Sequence, residues 1–118
     1  MILLIDGPLI DKRLAISRCP VFLRIAQGEN RHVRAIVRKV DREPSSRETV
    51  FVYHLKDKPM MADGHLHSIA HGVYYHLDVR VPPAALRDRD SWGEWSAANY
   101  EKYAPDWFLE MMKAKKLG

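Results

Sequence analysis

Four of the six histidines lie within residues 63–81, so this stretch is the first candidate for metal or acid–base chemistry. His65 and His67 are two residues apart, a spacing that can present two imidazoles to one ion. Together with His71 and His76 they could hold zinc, which binds imidazole in sites of three or four protein ligands. Because no H-E-x-x-H or C-x-x-C framework accompanies them, ordinary polar roles in a loop and on a strand are the alternative.

Two further arrangements could support catalysis. His76 and Asp78 are two residues apart on one predicted strand, so the carboxylate could orient the imidazole as a general base. The sequence indicates no nucleophile for that base. Cys19 follows Arg18, but neighbours on a strand point to opposite faces, which favours a buried structural thiol over a reactive one. We therefore expect no catalytic activity and no cofactor, with a zinc-dependent enzyme as the alternative.

The histidine stretch leads into the clearest strand of the chain. Apolar and polar residues alternate over 73–81, which predicts a strand with one buried face. The buried face would hold Tyr75, Leu77 and Val79, and the face turned away from the main core would hold Tyr74, His76 and Asp78. Residues 49–56 alternate as well and are apolar on both faces, which indicates a central strand. If the two strands pair antiparallel, His54 and His76 should lie near each other on the non-core face.

Cationic side chains concentrate in the first half of the chain. The net charge is +4, yet residues 11–47 hold ten Lys or Arg against four Asp or Glu. A local excess of this kind favours an acidic partner such as the phosphate backbone of a nucleic acid. The side chains expected to contact phosphates are Arg24, Arg34, Arg38 and Lys39. No zinc-finger, homeodomain or RNA-recognition signature is present, so a solvated basic surface is the alternative.

The C-terminal part is rich in aromatic residues. Six of them fall within the seventeen positions 92–108. Their helical spacing indicates a role in lining the core, but six are more than two short helices need to cover a sheet. We therefore predict an interface with a partner protein or a second copy of the chain, formed by Trp92, Trp95, Trp107 and Phe108.

Local signals place the remaining elements. Residues 32–41 have apolar positions at helical spacing, but they are rich in β-branched side chains and follow a turn, which favours a strand and leaves a helix as the alternative. Ser91 and Glu94 have the spacing of a capping box, which predicts a helix from Ser91 to about Tyr103. Pro105 suits the first turn of a last helix.

Strands therefore precede helices along the chain, which is typical of α+β proteins. We predict an antiparallel sheet, in part mixed, of four to six strands with the C-terminal helices packed on one face. The 118 residues should form a single domain, 1–118, which is strand-rich over 1–81 and helical over 83–116. No apolar run approaches the ~20 residues that span a bilayer, and one cysteine suits a reducing compartment. A cytoplasmic protein without a membrane partner is expected.

These observations together predict a small binding domain that acts through protein–protein contacts or self-association. A basic nucleic-acid-binding accessory protein is the first alternative. A metal-dependent enzyme that uses the histidine stretch is the second.

Overall fold

Strands occupy the first two thirds of the chain and helices the last third. The computed structural model describes residues 2–16, 20–56, 60–61, 70–103, 106, 109–110 and 113–114, with the backbone alone at 60–61 and 70–71. The strands are β1 (Ile2–Leu4), β2 (Arg13–Leu14), β3 (Phe22–Gln27), β4 (Val33–Ile36), β5 (Thr49–Leu55), β6 (Met60–Met61) and β7 (Ala70–His76). The helices are α1 (Pro83–Arg87) and α2 (Arg89–Tyr103), and a 3₁₀ turn spans Gly7–Leu9.

Six of the strands form one sheet in the order β2-β1-β7-β5-β3-β4. The pair β1–β7 is parallel, and the other pairs along this order are antiparallel. The short strand β6 pairs with β7 outside this order. The predicted α+β class with a mixed, mostly antiparallel sheet and helices packed on it is confirmed.

Both faces of the sheet are covered. The inner face carries a cluster of buried side chains from β1, β3, β5 and β7, to which the 3₁₀ turn adds Leu9. Its other members are Ile2, Leu4, Leu23, Ile25, Tyr53, Leu55 and Tyr74. The opposite face, the helix face, carries Phe22, Val52 and Leu77, and these pack against apolar side chains of α1 and α2. A fully buried side chain of this size stabilises the fold by about 1.5–3 kcal/mol, so both faces contribute to the core.

The two end strands of the sheet approach each other. Leu14 in β2 and Val33 in β4 both pack against the inner-face cluster, although these strands stand at opposite ends of the strand order. Residues 14–16 also line one common cavity with residues 33–35 and 37. The sheet therefore curls around its inner face until its two end strands meet. We call the cavity that lies between these end strands the seam cavity.

The uncertain segment 32–41 contains a strand. A turn at Gly28–Arg31 closes the hairpin between β3 and β4, with the Arg31 N–H donating to the Gly28 carbonyl at 3.0 Å. Arg31 takes a left-handed φ of 63°, and the Asn30 side chain accepts the N–H of His32 at 3.1 Å. Hairpin geometry therefore outweighs the helical spacing of the apolar residues, and the strand prediction is confirmed for Val33–Ile36.

The predicted faces of the 73–81 strand are wrong in one respect. Strand β7 ends at His76, and Tyr74, expected to face away from the main core, is fully buried in the inner-face cluster. Tyr75 is half-buried, while Leu77 is buried on the helix face. Alternation correctly separated the two sets of side chains. However, helices cover the face that carries Leu77, and the curled sheet encloses the face that carries Tyr74. Neither face of this strand is therefore exposed as a whole.

The first long helix begins two residues before the predicted capping box. Helix α2 starts at Arg89, and the Asp88 carboxylate accepts the backbone N–H of Ser91 at 2.9 Å. The Trp92 N–H donates to the Asp88 carbonyl at 2.8 Å. Asp88 is therefore the N-cap, and Ser91 occupies the third helical position instead of the cap.

The last part of the chain is helical where it is described, at residues 106, 109–110 and 113–114. Pro105, which was predicted to open a last helix, and Cys19 lie outside the described residues. Among the described residues, no helix has the length and apolarity that crossing a membrane requires.

Candidate functional site

The turn after β4 is held by a carboxylate that points back into it. Asp41 Oδ2 accepts the backbone N–H groups of Val37 and Arg38 at 2.9 and 2.7 Å. Burial by itself would raise the pKa of Asp41, but the backbone N–H groups of Arg38 and Val37 outweigh it, and the pKa is lowered. Asp41 is therefore a charged group bound to the turn backbone, and it is only partly open to solvent.

Glu48 is enclosed by the loop that follows. The Arg34 guanidinium donates to both of its oxygens at 2.9 Å, and the Ser45 backbone N–H donates to Oε1 at 3.0 Å. These hydrogen bonds, that from Arg34 foremost, lower the pKa of Glu48 from 4.5 to about 2. Arg34 also donates to the carbonyls of Arg42 and Glu43 at 2.6 and 3.2 Å. Its donor groups are thus directed at the protein itself.

Arg24, predicted to contact phosphates, lies in the core. The residue is 2% exposed, and its Nη1 donates to Glu43 Oε2 at 3.0 Å and to the Leu86 carbonyl at 3.1 Å. The guanidinium carbon also lies 5.4 Å from the ring centroid of Trp92. Arg24 therefore joins β3 to the 42–48 loop and to both helices. It has no solvent-facing surface to offer a phosphate, which corrects that expectation.

The result is a separation of charge over residues 31–48. The three carboxylates of this segment, Asp41, Glu43 and Glu48, are buried or half-buried and paired with groups of the protein. Five cationic residues of the same segment are exposed, and we call them the outer cations: Arg31, Arg38, Lys39, Arg42 and Arg47. The fully exposed charged residues of this segment are therefore all cationic, although Asp88 and Asp90 at the start of α2 line a recess together with Lys39.

Two of the four residues predicted to contact phosphates, Arg38 and Lys39, belong to the outer cations. Sequence reasoning missed Arg31, Arg42 and Arg47. The signal that could have found them is their position beside turn residues, where a long side chain has no strand neighbour to pack against. Nothing in the sequence, by contrast, showed that Arg24 and Arg34 would be directed inward by Glu43 and Glu48.

The seam cavity lies beside Arg38. Its volume is about 390 Å³. Apolar residues of β2, of the two residues after it and of the β4 region line it, together with Arg34, Arg38 and Asp41. Arg38 is 65% exposed and meets Asp41 only at 3.6 Å. A recess that exposes polar groups as well as apolar side chains, with a loosely held guanidinium at its side, can accept a ligand that joins a ring with polar edges to an anion.

The histidines do not assemble as the sequence suggested. His76 is paired with Tyr53 across β5 and β7, whereas His54 is paired with Tyr75, so the two imidazoles lie on opposite faces of the sheet. The expectation that they share a face is wrong because the register is shifted by one residue. His65 and His67 lie outside the described residues, and His71 is described by its backbone alone. Within the described residues, no group of three or more potential metal ligands is found.

His76 instead belongs to a network of hydrogen bonds around the 3₁₀ turn. Its backbone N–H donates to Asp6 Oδ1 at 2.5 Å. The Tyr53 hydroxyl donates to the Asp6 carbonyl at 2.8 Å and accepts the Leu9 N–H at 3.1 Å. The His76 and Tyr53 ring centroids are 5.4 Å apart. These contacts fix the turn on the inner face. Within the described part of the chain, neither His76 nor Asp78 has a side-chain partner that would define a general base.

The described aromatic residues of α2 pack inward. Phe22 of β3 meets Trp95 edge-on with 5.3 Å between ring centroids and stacks on Tyr100 at 5.4 Å. Trp92 stacks on Trp95 at 5.2 Å. The core-lining role that the helical spacing indicated is therefore confirmed for Trp92 and Trp95. Trp107 and Phe108 lie outside the described residues, so their assignment to an interface stays a prediction.

Comparison with known proteins adds no assignment. No protein-family model matches the chain. No curated protein and no solved structure shows significant similarity to it. The function must therefore be inferred from the arrangement of side chains.

Proposed function

We propose that this protein binds nucleic acid, and that the outer cations contact its phosphates. The observation that carries the proposal is the separation of charge over residues 31–48. All three carboxylates are paired within the protein, Asp41 and Glu48 with little exposure and Glu43 in part exposed, whereas five Lys or Arg side chains are exposed. Exposed cations of this kind attract polyanions, and their contacts with phosphates release the counterions condensed on the nucleic acid.

The outer cations lie in the turns and loops before and after β4, which favours contacts to the phosphate backbone over reading of bases by a helix. The longest described helix, α2, is packed on the helix face through Trp92 and Trp95. It is therefore not free to enter a major groove as a recognition helix would. We expect binding with little sequence preference and a strong dependence on salt.

A protein interface on the C-terminal helices, our first expectation from the sequence, has weaker support. Among the described residues, the exposed large hydrophobic side chains are Ile10 and Val40, and neither belongs to a helix. Some of the aromatic side chains that suggested an interface, Trp95 and Tyr100, pack against Phe22 instead. The proposal of a partner protein or a second copy now rests on Trp107 and Phe108. The alternative of a zinc enzyme rests on His65 and His67, which also lie outside the described residues.

The experiment is a salt titration of binding with a variant that lacks three outer cations. Arg38→Ala, Lys39→Ala and Arg42→Ala would be combined, and the affinity for a fluorescent oligonucleotide measured by anisotropy at several salt concentrations. Each lost phosphate contact should reduce the slope of log affinity against log salt by about 0.7–0.9. We expect the slope to fall by about two to three.

The matched control removes the same charge elsewhere. Arg80→Ala, Lys102→Ala and Lys113→Ala replace three exposed cations outside the 31–48 segment. This control should keep the salt slope of the wild type. Equal weakening by both triple variants would show that net charge alone drives binding, and an absence of binding at low salt would end the proposal.

A further inference from the structure

We infer that the seam cavity takes an unpaired base of a single strand, whose flanking phosphates lie on the outer cations. The inference rests on the proposed function and specifies the class of nucleic acid. It requires a recess of suitable size, walls that suit a base, and a cation placed to hold the phosphate beside it.

The size and walls of the cavity suit a base. A volume of about 390 Å³ falls within the range of about 300–1,000 Å³ that is typical of ligand pockets. Its apolar walls are Leu14, Ala15, Ile16, Val33, Ala35 and Val37. Most of these pack against the inner-face cluster, which fixes their positions before any ligand arrives.

The end strands also bring polar groups to the cavity. In the described part of the chain, β2 pairs only with β1, and β4 only with β3. Each end strand therefore has a second edge without a strand neighbour among the described residues, and these edges meet at the cavity. Peptide N–H and C=O groups along such an edge can bond the donor and acceptor groups of a base.

Arg38 is the residue placed to hold the phosphate. Arg34 also lines the cavity, but Glu48 and the carbonyls of the 42–48 loop engage its donors. Asp41, the carboxylate at the cavity, is bound to the backbone N–H groups of Val37 and Arg38. Arg38 is 65% exposed, and its 3.6 Å contact with Asp41 is longer than a strong ion pair. It can therefore turn to a phosphate at low cost.

A base inside a duplex could not reach this recess. Its edges are paired and its faces are stacked, so it would first have to leave the helix. The strand edges that form the cavity are also unlike a recognition helix, which reads paired bases in the groove. A single strand offers unpaired bases, and sequence-tolerant binding of single strands combines a cationic track with side chains on which bases stack. In the seam cavity, aliphatic side chains would take the place of the aromatic ones that commonly serve this purpose.

The test compares strands that share phosphates but differ in bases. The probes are a short oligothymidylate, an abasic strand of the same length, and a duplex of the same length. We expect the wild type to bind the oligothymidylate at least about tenfold more tightly than the abasic strand or the duplex. Thymidine monophosphate should compete only weakly, because it lacks the neighbouring phosphates.

Filling the cavity should remove the preference. Ala35→Phe places a bulky side chain in one wall, and Ala15→Phe does so in the opposite wall. The second variant keeps the test valid if the first fails to melt like the wild type. Either change should reduce the affinity for oligothymidylate to that for the abasic strand. Ala97→Phe adds the same side chain at an exposed position of α2 and should change neither affinity.

The outcomes separate this inference from the proposed function. Equal wild-type affinity for oligothymidylate and abasic strand, with both weakened by loss of the outer cations, would overturn the base site and keep nucleic-acid binding. Equal affinity for strand and duplex would do the same. A mononucleotide that binds as tightly as the strand would overturn the strand as ligand. No binding of any probe at low salt would end both proposals.

Discussion

Arg34 holds Glu48 through two hydrogen bonds, Nε to Oε2 and Nη2 to Oε1, each 2.9 Å long. The Arg34 side chain is 20% exposed and that of Glu48 is 9% exposed, so this pair lies between core and surface. By engaging the one buried carboxylate of the 31–48 segment, Arg34 leaves the neighbouring cations without an intramolecular partner of equal strength. The pair therefore supports both the loop and the positive surface.

Glu48→Gln should destabilise the protein near neutral pH, by about 1–3 kcal/mol, because one charge-assisted partner of Arg34 is lost. The wild type should also lose stability as pH falls from 4.5 towards the folded pKa of about 2. The sign follows from a lowered pKa: the unfolded chain takes up the proton first, so acid favours unfolding. Urea denaturation across this pH range measures both effects.

The control for this prediction is Glu94→Gln, which neutralises an exposed carboxylate of α2. It should leave the acid limb of the stability curve unchanged. If Glu48→Gln and the wild type lose stability in parallel between pH 4.5 and about 2, Arg34 does not stabilise the Glu48 carboxylate.

His54 should make the protein sensitive to mild acid. Its Nδ1 is buried and has no hydrogen-bond partner among the residues that the structure describes, and burial lowers the pKa of the imidazole, an effect that the charge of Asp6 opposes only in part. Protonation therefore favours the unfolded chain, and stability should fall as pH drops below the ordinary value of 6.5. Melting temperatures measured from mildly alkaline to mildly acidic pH would show this slope.

His54→Phe should flatten that slope and raise the melting temperature at acidic pH relative to the wild type. The ring would keep its contacts beside Tyr75, whose centroid is 5.4 Å from that of His54. His32→Gln, at an exposed position, serves as the control and should retain the slope. An unchanged slope in His54→Phe would assign the acid sensitivity to another group.

Gly7→Ala should be strongly destabilising. Gly7 has a φ of 74°, and a Cβ there would lie 2.3 Å from the His76 Cβ and 3.0 Å from the Tyr53 hydroxyl. Backbone strain and the clash together should cost at least about 2 kcal/mol, and the 3₁₀ turn should detach from the inner face. Chemical denaturation gives the free energy of unfolding.

The matched substitution at Gly93 should act in the opposite direction. A Cβ there would meet no atom of the described residues within 4 Å, and Gly93 lies in the interior of α2. Gly93→Ala should therefore stabilise the protein by about 0.5–1 kcal/mol through helix propensity. Similar effects of the two substitutions would contradict the geometry of the 3₁₀ turn.

Asp88→Ala should lower the melting temperature more than Ser91→Ala. The Asp88 side chain accepts the Ser91 N–H at 2.9 Å, and this hydrogen bond is the main reason that the pKa of Asp88 is lowered. Without it, the first turn of α2 keeps an unsatisfied amide. Thermal unfolding followed by circular dichroism compares the two. A larger decrease in melting temperature for Ser91→Ala than for Asp88→Ala would identify Ser91 as the N-cap.

The sequence alone determined the fold class and most strand positions. Alternation placed the strands that became β5 and β7, because a strand with one apolar face needs that period whatever it packs against. The spacing of Ser91 and Glu94 indicated the helix that became α2, and the helical spacing of the aromatic residues indicated that they line the core. These signals lie within single segments of the chain, so they can be read without knowing which other segments pack against them.

Tertiary structure decided which face of each strand meets the core and which charges remain exposed. A shift of one residue in the β5–β7 register separates His54 from His76, and a curled sheet buries Tyr74, although alternation alone does not show either result. Arg24 and Arg38 are both arginines of one basic segment. Glu43 pairs with the first inside the fold, while the second stays at the seam cavity, because charge pairing depends on distances between residues far apart in the chain.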